Sequence, residues 1–171
     1  GSNERRYRLM PILNAQWQNG WFAGFPRGVG YNFSDNPQNE YGLRLSIDHG
    51  RKQNLSTALN GLGDIALRPE LGAFYHRTLS REIKLNSGLR YGAGVDRRGA
   101  LLDLGLNYRL TLAETSFLTL GIHTNYANNH YMQSYFGVTA SQAASSGYAV
   151  STPTAGLREL GLSAQYLYKI D

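Results

Sequence analysis

Serine, histidine and aspartate are the residue types in this chain that suggest enzyme chemistry, because together they form the catalytic set of many hydrolases. Such a set can be assembled from Ser134, His130 and Asp103. However, the sequence contains no Gly-x-Ser-x-Gly motif, and its four histidines lack the His-x-x-x-His spacing of a metal site. We therefore expect no enzyme activity, no catalytic residues, no bound metal and no cofactor.

Charged side chains of both signs recur at alternate positions along the chain, and they are the next candidates for function. They are Arg44, Asp48, Arg68, Glu70, Glu82, Lys84, Arg90, Asp103, Arg109 and Lys169. If they line an open channel, they set its ion selectivity. If the interior is narrow, they form internal ion pairs that make it polar and fill it.

Basic residues in non-periodic segments suggest an anionic partner. Arg51, Lys52, Arg97 and Arg98 have the chemistry to bind the phosphates of lipopolysaccharide, although ordinary solvated loop charge is the simpler interpretation. The net charge of +5 is spread along the whole chain without a dense basic run. We therefore expect no nucleic-acid partner.

The segment from Leu102 to Leu112 shows which elements position these charges. Its even positions are large and apolar, while its odd positions are polar or glycine. A period of two places alternate side chains on opposite faces of a β-strand. Its length also matches the roughly 9–11 residues that a tilted strand needs to cross a bilayer.

The same alternation recurs along the chain and predicts about eight strand segments without a helix between them. They are Tyr7–Trp17, Trp21–Phe33, Tyr41–Gly50, Ile65–Tyr75, Ile83–Val95, Leu102–Leu112, Leu118–Tyr126 and Leu160–Ile170. Residues 51–63 and 128–155 lose the period and are predicted loops. Trp21–Phe33 is either one strand or two short strands separated at Pro26-Arg27. The pattern predicts an all-β, antiparallel, up-and-down arrangement.

Two kinds of barrel fit this pattern, and their faces are reversed. In a lipocalin-like soluble barrel the apolar face lines the interior, whereas in a transmembrane β-barrel it contacts lipid. We favour the transmembrane barrel because the strands are long, the polar face carries charges of both signs, and tyrosine and tryptophan occur near strand ends. There is no apolar run long enough for a transmembrane helix, no cysteine, and no secretory signal at the start of the chain.

The segment 128–161 resembles a known family. The residues that carry the resemblance are Tyr131-Met132-Gln133-Ser134-Tyr135-Phe136-Gly137-Val138, Ser141-Gln142, Ser146-Gly147-Tyr148 and Gly156-Leu157. Earlier fragments agree in order and spacing, namely Gly28-Val29-Gly30-Tyr31, Gly42-Leu43-Arg44-Leu45, Gly50-Arg51 and Leu62-Gly63-Asp64-Ile65. Together they are similar to the MipA/OmpV family, the MltA-interacting outer-membrane scaffold proteins of Gram-negative bacteria.

The resemblance implies a non-enzymatic scaffold in the outer membrane that links a murein lytic transglycosylase with a penicillin-binding protein during peptidoglycan growth. It also implies contact with outer-membrane lipid and lipopolysaccharide. Alternative functions are a small-solute porin or a surface adhesin. We expect residues 1–171 to form a single barrel domain that lacks the first and last strands of the full protein, which would have 10–12 strands.

Among the segments that carry the resemblance, the loop at 128–155 is the best candidate for a specific function. Long ordered loops in compact folds usually have a functional role. Its signature residues are Tyr131, Tyr135, Phe136, Gly137, Val138, Ser146 and Gly147. We expect them either to plug the mouth of the barrel or to contact a partner.

Overall fold

The computed structural model describes residues 13–25 and 27–169, which form one antiparallel sheet of nine strands. The strands are β1 (Leu13–Gln16), β2 (Trp21–Phe25), β3 (Gly28–Asn32), β4 (Asn39–Asp48), β5 (Arg68–Thr78), β6 (Ile83–Ala93), β7 (Gly99–Ala113), β8 (Ser116–Ala127) and β9 (Gly156–Tyr168). Each strand pairs with the next along the chain, so the topology is up-and-down, and the sheet curls into half a barrel. The predicted fold class is confirmed.

Periodicity located most of the strands, and the structure adds one. The segment Trp21–Phe33 is two strands, β2 and β3, which pair with each other through Ala23 opposite Val29. The predicted strand Tyr7–Trp17 lies partly outside the described residues. Within them, it corresponds to β1. Pro26 and Ile170 also lie outside them.

The two faces of the sheet differ in polarity and in exposure. On β5, Glu70 and Phe74 are buried on the inner, concave face, whereas Leu71 and Tyr75 point outward and are exposed. The same division continues along β4 and β6 to β9, where outward leucines, isoleucines and tyrosines are largely 40–80% exposed. The apolar face is therefore the outer one, which is the reverse of the lipocalin-like alternative.

The two ends of the sheet also differ. The connections β1–β2, β3–β4, β5–β6 and β7–β8 are short and lie at one end, which we call the short-turn end. The connections β4–β5 and β8–β9 are long and lie at the opposite, long-loop end. They contain two 3₁₀ turns (Gln53–Leu55 and Thr57–Leu59) and two helices, α1 (Asn129–Phe136) and α2 (Ala140–Ser146). The prediction that no helix lies between the strands is therefore wrong for the segment 128–155. Neither of these helices, nor any other in the described part of the chain, is long and apolar enough to cross a membrane.

Candidate functional site

Helix α1 is fixed to the end of the sheet by its first residues. The Asn128 side chain accepts hydrogen bonds from the Tyr131 amide, as an N-cap, and from the Ala100 amide on β7, both at 3.0 Å. It also donates to the carbonyl of Arg98 at 2.9 Å. The Asn128 side chain therefore pairs with backbone amides at the start of α1 and at the start of β7. It thereby sets the direction in which the helix leaves β8.

Two tyrosines of α1 face the sheet. Tyr131 is only 3% exposed and packs with Ala93, Leu101 and Ala127 in the small apolar core at the long-loop end of the sheet. Its ring stacks on that of Tyr135 with centroids 4.5 Å apart. The Tyr135 hydroxyl donates to the Asp48 carboxylate at the end of β4, with 2.6 Å between the oxygens. Helix α1 thus crosses the polar face and connects β7 with β4.

Burial changes the acidity of both phenols. It raises the pKa of Tyr131 to about 12, because the ionised phenolate would lose its hydration. Burial also raises the pKa of Tyr135, and the adjacent Asp48 carboxylate raises it further by accepting the phenol proton as a hydrogen bond. Both phenols are therefore neutral at physiological pH, and that of Tyr135 donates its hydrogen bond to Asp48.

The long loops at 51–67 and 128–155 bind each other, and we call this assembly the loop clasp. The guanidinium of Arg51 donates to the carbonyl of Tyr135 at 2.6 Å and to that of Leu62 at 3.3 Å. The Gln142 amide, on α2, donates to the same Leu62 carbonyl at 2.5 Å. The Ser145 hydroxyl donates to the carbonyl of Gly61 at 2.8 Å. Side chains from each loop therefore satisfy backbone carbonyls in the other.

The remaining signature residues shape the loop clasp. Gly137 ends α1, Gly147 ends α2 in the left-handed conformation (φ +76°), and Ser146 donates to the carbonyl of Gln142. Val138 is buried and its backbone pairs with Ser151. Phe136, by contrast, is 51% exposed. Contact of these residues with a partner stays a prediction.

The inner face carries a partly buried ionic cluster centred on Arg90, which includes four of the predicted charges. The Arg90 guanidinium donates two hydrogen bonds to Asp103, at 2.7 and 2.9 Å, and a third to Glu70 at 3.1 Å. Asn125 donates to Asp103 at 2.6 Å, and Arg44 lies 3.7 Å from the same carboxylate. We call Arg44, Glu70, Arg90 and Asp103 the ionic cluster.

Other predicted interior charges lie apart from the ionic cluster. Lys84 bonds Glu40 at 2.7 Å, and Arg68 pairs in register with Asp48, itself the acceptor of Tyr135. Towards the short-turn end, two cations lie over the Phe117 ring. Cζ of Arg109 is 4.1 Å from the ring centroid, and Nζ of Lys169 is 5.3 Å from it. Glu82 is in the β5–β6 turn, where it accepts a hydrogen bond from Ser80. Whether these residues line a lumen stays a prediction.

The hydrolase set considered from the sequence is not brought together. Asp103 is engaged by Arg90, and Ser134 accepts a hydrogen bond from the Val95 amide. His130 instead contacts Asp96, with 2.7 Å between Nδ1 and Oδ2. Burial favours the neutral form of Asp96, but the Arg98 amide and His130 hydrogen-bond its charged form, and together they lower its pKa. No periodic signal in the sequence linked Asp96 to His130.

The basic loop residues and the side chains that could bind a metal ion are the remaining candidates from the sequence. No group of three or more histidine or acidic side chains suited to a metal occurs within residues 13–25 and 27–169. Of the loop cations, Arg51 is used in the loop clasp and Lys52 pairs with Asp64 at 3.1 Å. Arg97, with φ of +60°, and Arg98 are exposed at the tip of the β6–β7 loop.

Comparisons with known proteins agree with the resemblance noted in the sequence. A family model described as MltA-interacting protein MipA matches residues 1–171. No curated protein and no solved structure matches the chain. Since the match extends over the whole sequence, the chain belongs to the MltA-interacting protein (MipA) family.

Proposed function

We propose that this protein is a non-enzymatic scaffold of the outer membrane that holds a murein lytic transglycosylase close to a penicillin-binding protein. Membership of the MipA family suggests an outer-membrane protein linked to interaction with the transglycosylase MltA. The scaffold role and the second partner go beyond family membership. Three features of the structure support the membrane position, the docking end and the filled interior that the scaffold role requires.

The first feature is the outer face of the sheet. Strands β4 to β9 are 10–15 residues long, enough to cross a bilayer. Their outward leucines include Leu104, 43% exposed, Leu71, 61% exposed, and Leu162, 83% exposed. A continuous apolar surface of this kind is costly in water and favourable in lipid. It supports a position among the acyl chains of the outer-membrane lipid and lipopolysaccharide.

The second feature is the difference between the two ends. Outer-membrane barrels have short periplasmic turns and longer external loops. By that rule the loop clasp faces the outside of the cell. The short-turn end then faces the periplasm, which contains the murein. The turns at residues 79–82 and 114–115 would then form the docking surface for a murein enzyme.

The third feature, and the observation that carries the proposal, is how the inner face is filled. Arg90 is held between Glu70 and Asp103, and α1 covers the polar face next to them. Side chains that bond one another in this way fill a polar interior rather than leave a path for solutes. This favours a scaffold over a porin.

Site-specific photocrosslinking tests the proposal. A photoreactive residue at Arg81 or Glu114, at the short-turn end, should capture a lytic transglycosylase and a penicillin-binding protein in cell envelopes. The matched control is the same photoreactive residue at Arg97, in the β6–β7 loop at the long-loop end, which should capture neither enzyme. Equal capture from Arg97, or no capture of either enzyme from the short turns, would contradict the proposed docking surface.

A conductance measurement separates the scaffold from the porin. The purified protein in planar bilayers should show no stepwise conductance. Regular steps that change when Arg44 or Arg90 is neutralised would instead identify the ionic cluster as the lining of an open channel and overturn the scaffold proposal.

A further inference from the structure

A pocket of about 330 Å³ opens on the inner face at the short-turn end, between the β5–β6 turn and strands β7 and β8. The lining residues used below are Arg81, Glu82, Lys84, Asn107 and Arg109. Arg81, Glu82 and Arg109 are exposed, and Lys84 and Asn107 are half-buried. The charged groups of this pocket are therefore within reach of a molecule that arrives from solution.

The register of the strands brings the cations of the pocket together. Lys84 on β6 lies opposite Asn107 on β7, and Arg109 follows two residues later on the same face. Residues in such diagonal positions are roughly 7–8 Å apart. The Arg109 amide donates to the Glu82 carbonyl at 2.8 Å, which holds the β5–β6 turn and its Arg81 against β7. The long side chains of Lys84 and Arg109 thus reach the same anionic group.

Carboxylates do not balance these cations. Within the described part of the chain, Glu82 is the one acidic residue that lines the pocket, and it accepts a hydrogen bond from Ser80. Arg81 and Arg109 form no ion pair with any residue in 13–25 and 27–169. Lys84 pairs with Glu40 at 2.7 Å, but an ammonium has three donor hydrogens and retains capacity for a second carboxylate.

A fourth cation extends the basic surface beyond the pocket. Lys169 is exposed at the end of β9, where its amide donates to the Thr115 carbonyl at 2.8 Å. Because Lys169 and Arg109 both lie over the Phe117 ring, their charges are less than about 10 Å apart. Like charges this close repel each other, and an anion between them removes the repulsion. We call Arg81, Lys84, Arg109 and Lys169 the basic mouth.

The position and spacing of the basic mouth select the kind of anion. It lies on the inner face, whereas lipid headgroups would surround the apolar outer face. In an extended peptide, alternate side chains point the same way and are roughly 7 Å apart. That spacing matches the diagonal separation of Lys84 and Arg109, so a peptide with alternate carboxylates matches cations carried by neighbouring strands.

We propose that the basic mouth binds an acidic peptide segment of the murein enzyme that docks at the short-turn end. One carboxylate lies between Lys84 and Arg109, and the next lies between Arg109 and Lys169. The identity of the protein that carries the segment rests on the proposed function, whereas the recognition of alternate carboxylates does not.

Fluorescence anisotropy with the full chain in detergent micelles tests the ligand class. The probe is a labelled peptide of three Glu-Ser repeats, and the matched control has glutamine in place of glutamate. The acidic peptide should bind saturably and the control about tenfold more weakly, because only carboxylates pair with the cations. No saturable binding, or equal binding of the control, would overturn the proposal. Tighter binding of a soluble murein stem peptide would overturn the assignment to a protein segment.

Variants with fewer cations test the residues. Arg109→Gln and Lys169→Gln should each weaken binding of the acidic peptide about threefold, and the double variant about tenfold. Arg97→Gln, which removes an exposed cation at the long-loop end, should leave it unchanged. Far-ultraviolet circular dichroism checks that each variant folds. If the double variant fails to fold, the single variants and the peptide pair still decide the matter. Unchanged affinity in the folded variants would overturn the assignment.

Photocrosslinking from Glu114 separates this inference from the proposed function, because that substitution removes none of the four cations. Capture of a murein enzyme should fall in the Arg109→Gln/Lys169→Gln background and persist in the Arg97→Gln background. Capture that persists in both would overturn the basic mouth as the recognition site and leave the docking surface intact. No capture in the unaltered background would contradict the docking surface, while the peptide pair still tests the basic mouth.

Discussion

The Tyr135 hydroxyl donates a hydrogen bond to the Asp48 carboxylate across a sequence separation of 87 residues. This bond joins the helix that follows β8 to the end of β4, four strands away. It lies beside the stacked pair of Tyr131 and Tyr135, so the helix is held both by an apolar contact and by a charge-assisted hydrogen bond. The position of α1 over the polar face depends on these two contacts.

Replacing Tyr135 with phenylalanine should loosen α1 without unfolding the sheet. The ring stack remains, but a hydrogen bond to a charged acceptor, worth about 1.5–3 kcal/mol, is lost. Hydrogen exchange should accelerate at the α1 amides and not at those of β5 or β6. Tyr126→Phe, on the exposed outer face, is the matched control. Unchanged exchange in α1 would show that the bond does not hold the helix.

Alkaline pH should weaken the attachment of α1. Burial raises the pKa of Tyr131 to about 12, and burial with the Asp48 contact raises that of Tyr135, so the unfolded chain loses these protons first. The stability that depends on the neutral phenols is complete below about pH 10, the ordinary tyrosine value, and falls as pH rises towards the folded values. Spectrophotometric titration should show late-ionising phenols that disappear in a Tyr131→Phe/Tyr135→Phe double variant. An unaltered late phase in that variant would contradict the assignment.

Arg90→Met should destabilise the fold strongly. It leaves the buried Glu70 without its cation, and loss of one partner from a buried ion pair typically costs about 3–5 kcal/mol. Lys84→Met removes a more exposed partner of Glu40 and should cost about 0–1 kcal/mol. Urea unfolding in lipid vesicles compares the two variants. Equal costs would show that the ionic cluster contributes no more than a surface pair.

Gly42→Ala should also destabilise the fold. A Cβ atom at this position would overlap the Tyr31 carbonyl oxygen and approach Cζ of Phe74 to 2.8 Å. Forcing such a group into a packed site typically costs about 1–3 kcal/mol. Gly156→Ala is the control, because a Cβ there meets nothing within 4 Å. The same urea measurement decides whether the contact is as tight as the geometry indicates.

A charge on the outer face should be penalised according to its depth in the bilayer. Leu104 lies in the middle of β7 and Leu112 near its short-turn end. Leu104→Arg should cost about 2–4 kcal/mol in vesicles, and Leu112→Arg about 0–1 kcal/mol. Equal costs at the two positions would argue against lipid contact by this face.

Periodicity predicted the strands and their faces well because the side-chain alternation of a strand is a local property. It did not decide between one strand and two at Trp21–Phe33, for a physical reason. Phe25 and Val29 flank the β2–β3 turn and both point outward, so the alternation keeps its phase through the hairpin. A continuous strand would give the same pattern.

The contacts that build the candidate site depend on the three-dimensional arrangement of the strands. Charge type placed Arg44, Glu70, Arg90 and Asp103 among ten candidate interior charges, but it did not reveal that Arg90 joins the two acids. Arg51, interpreted as a loop cation, donates to carbonyls of Tyr135 and Leu62. Neither acceptor has a side-chain signature, because both are backbone atoms brought close by the two loops.

The contacts of Arg90 with Glu70 and Asp103, with Arg44 beside them, have a consequence for how the sheet assembles. The ionic cluster takes its members from β4, β5, β6 and β7, so it is complete only when three successive strand pairings are in register. A slip of one residue in any pairing would turn a charged side chain towards the apolar face and leave its ionic partner unpaired. The ion pairs of the cluster therefore stabilise only the arrangement in which all four strands are correctly aligned.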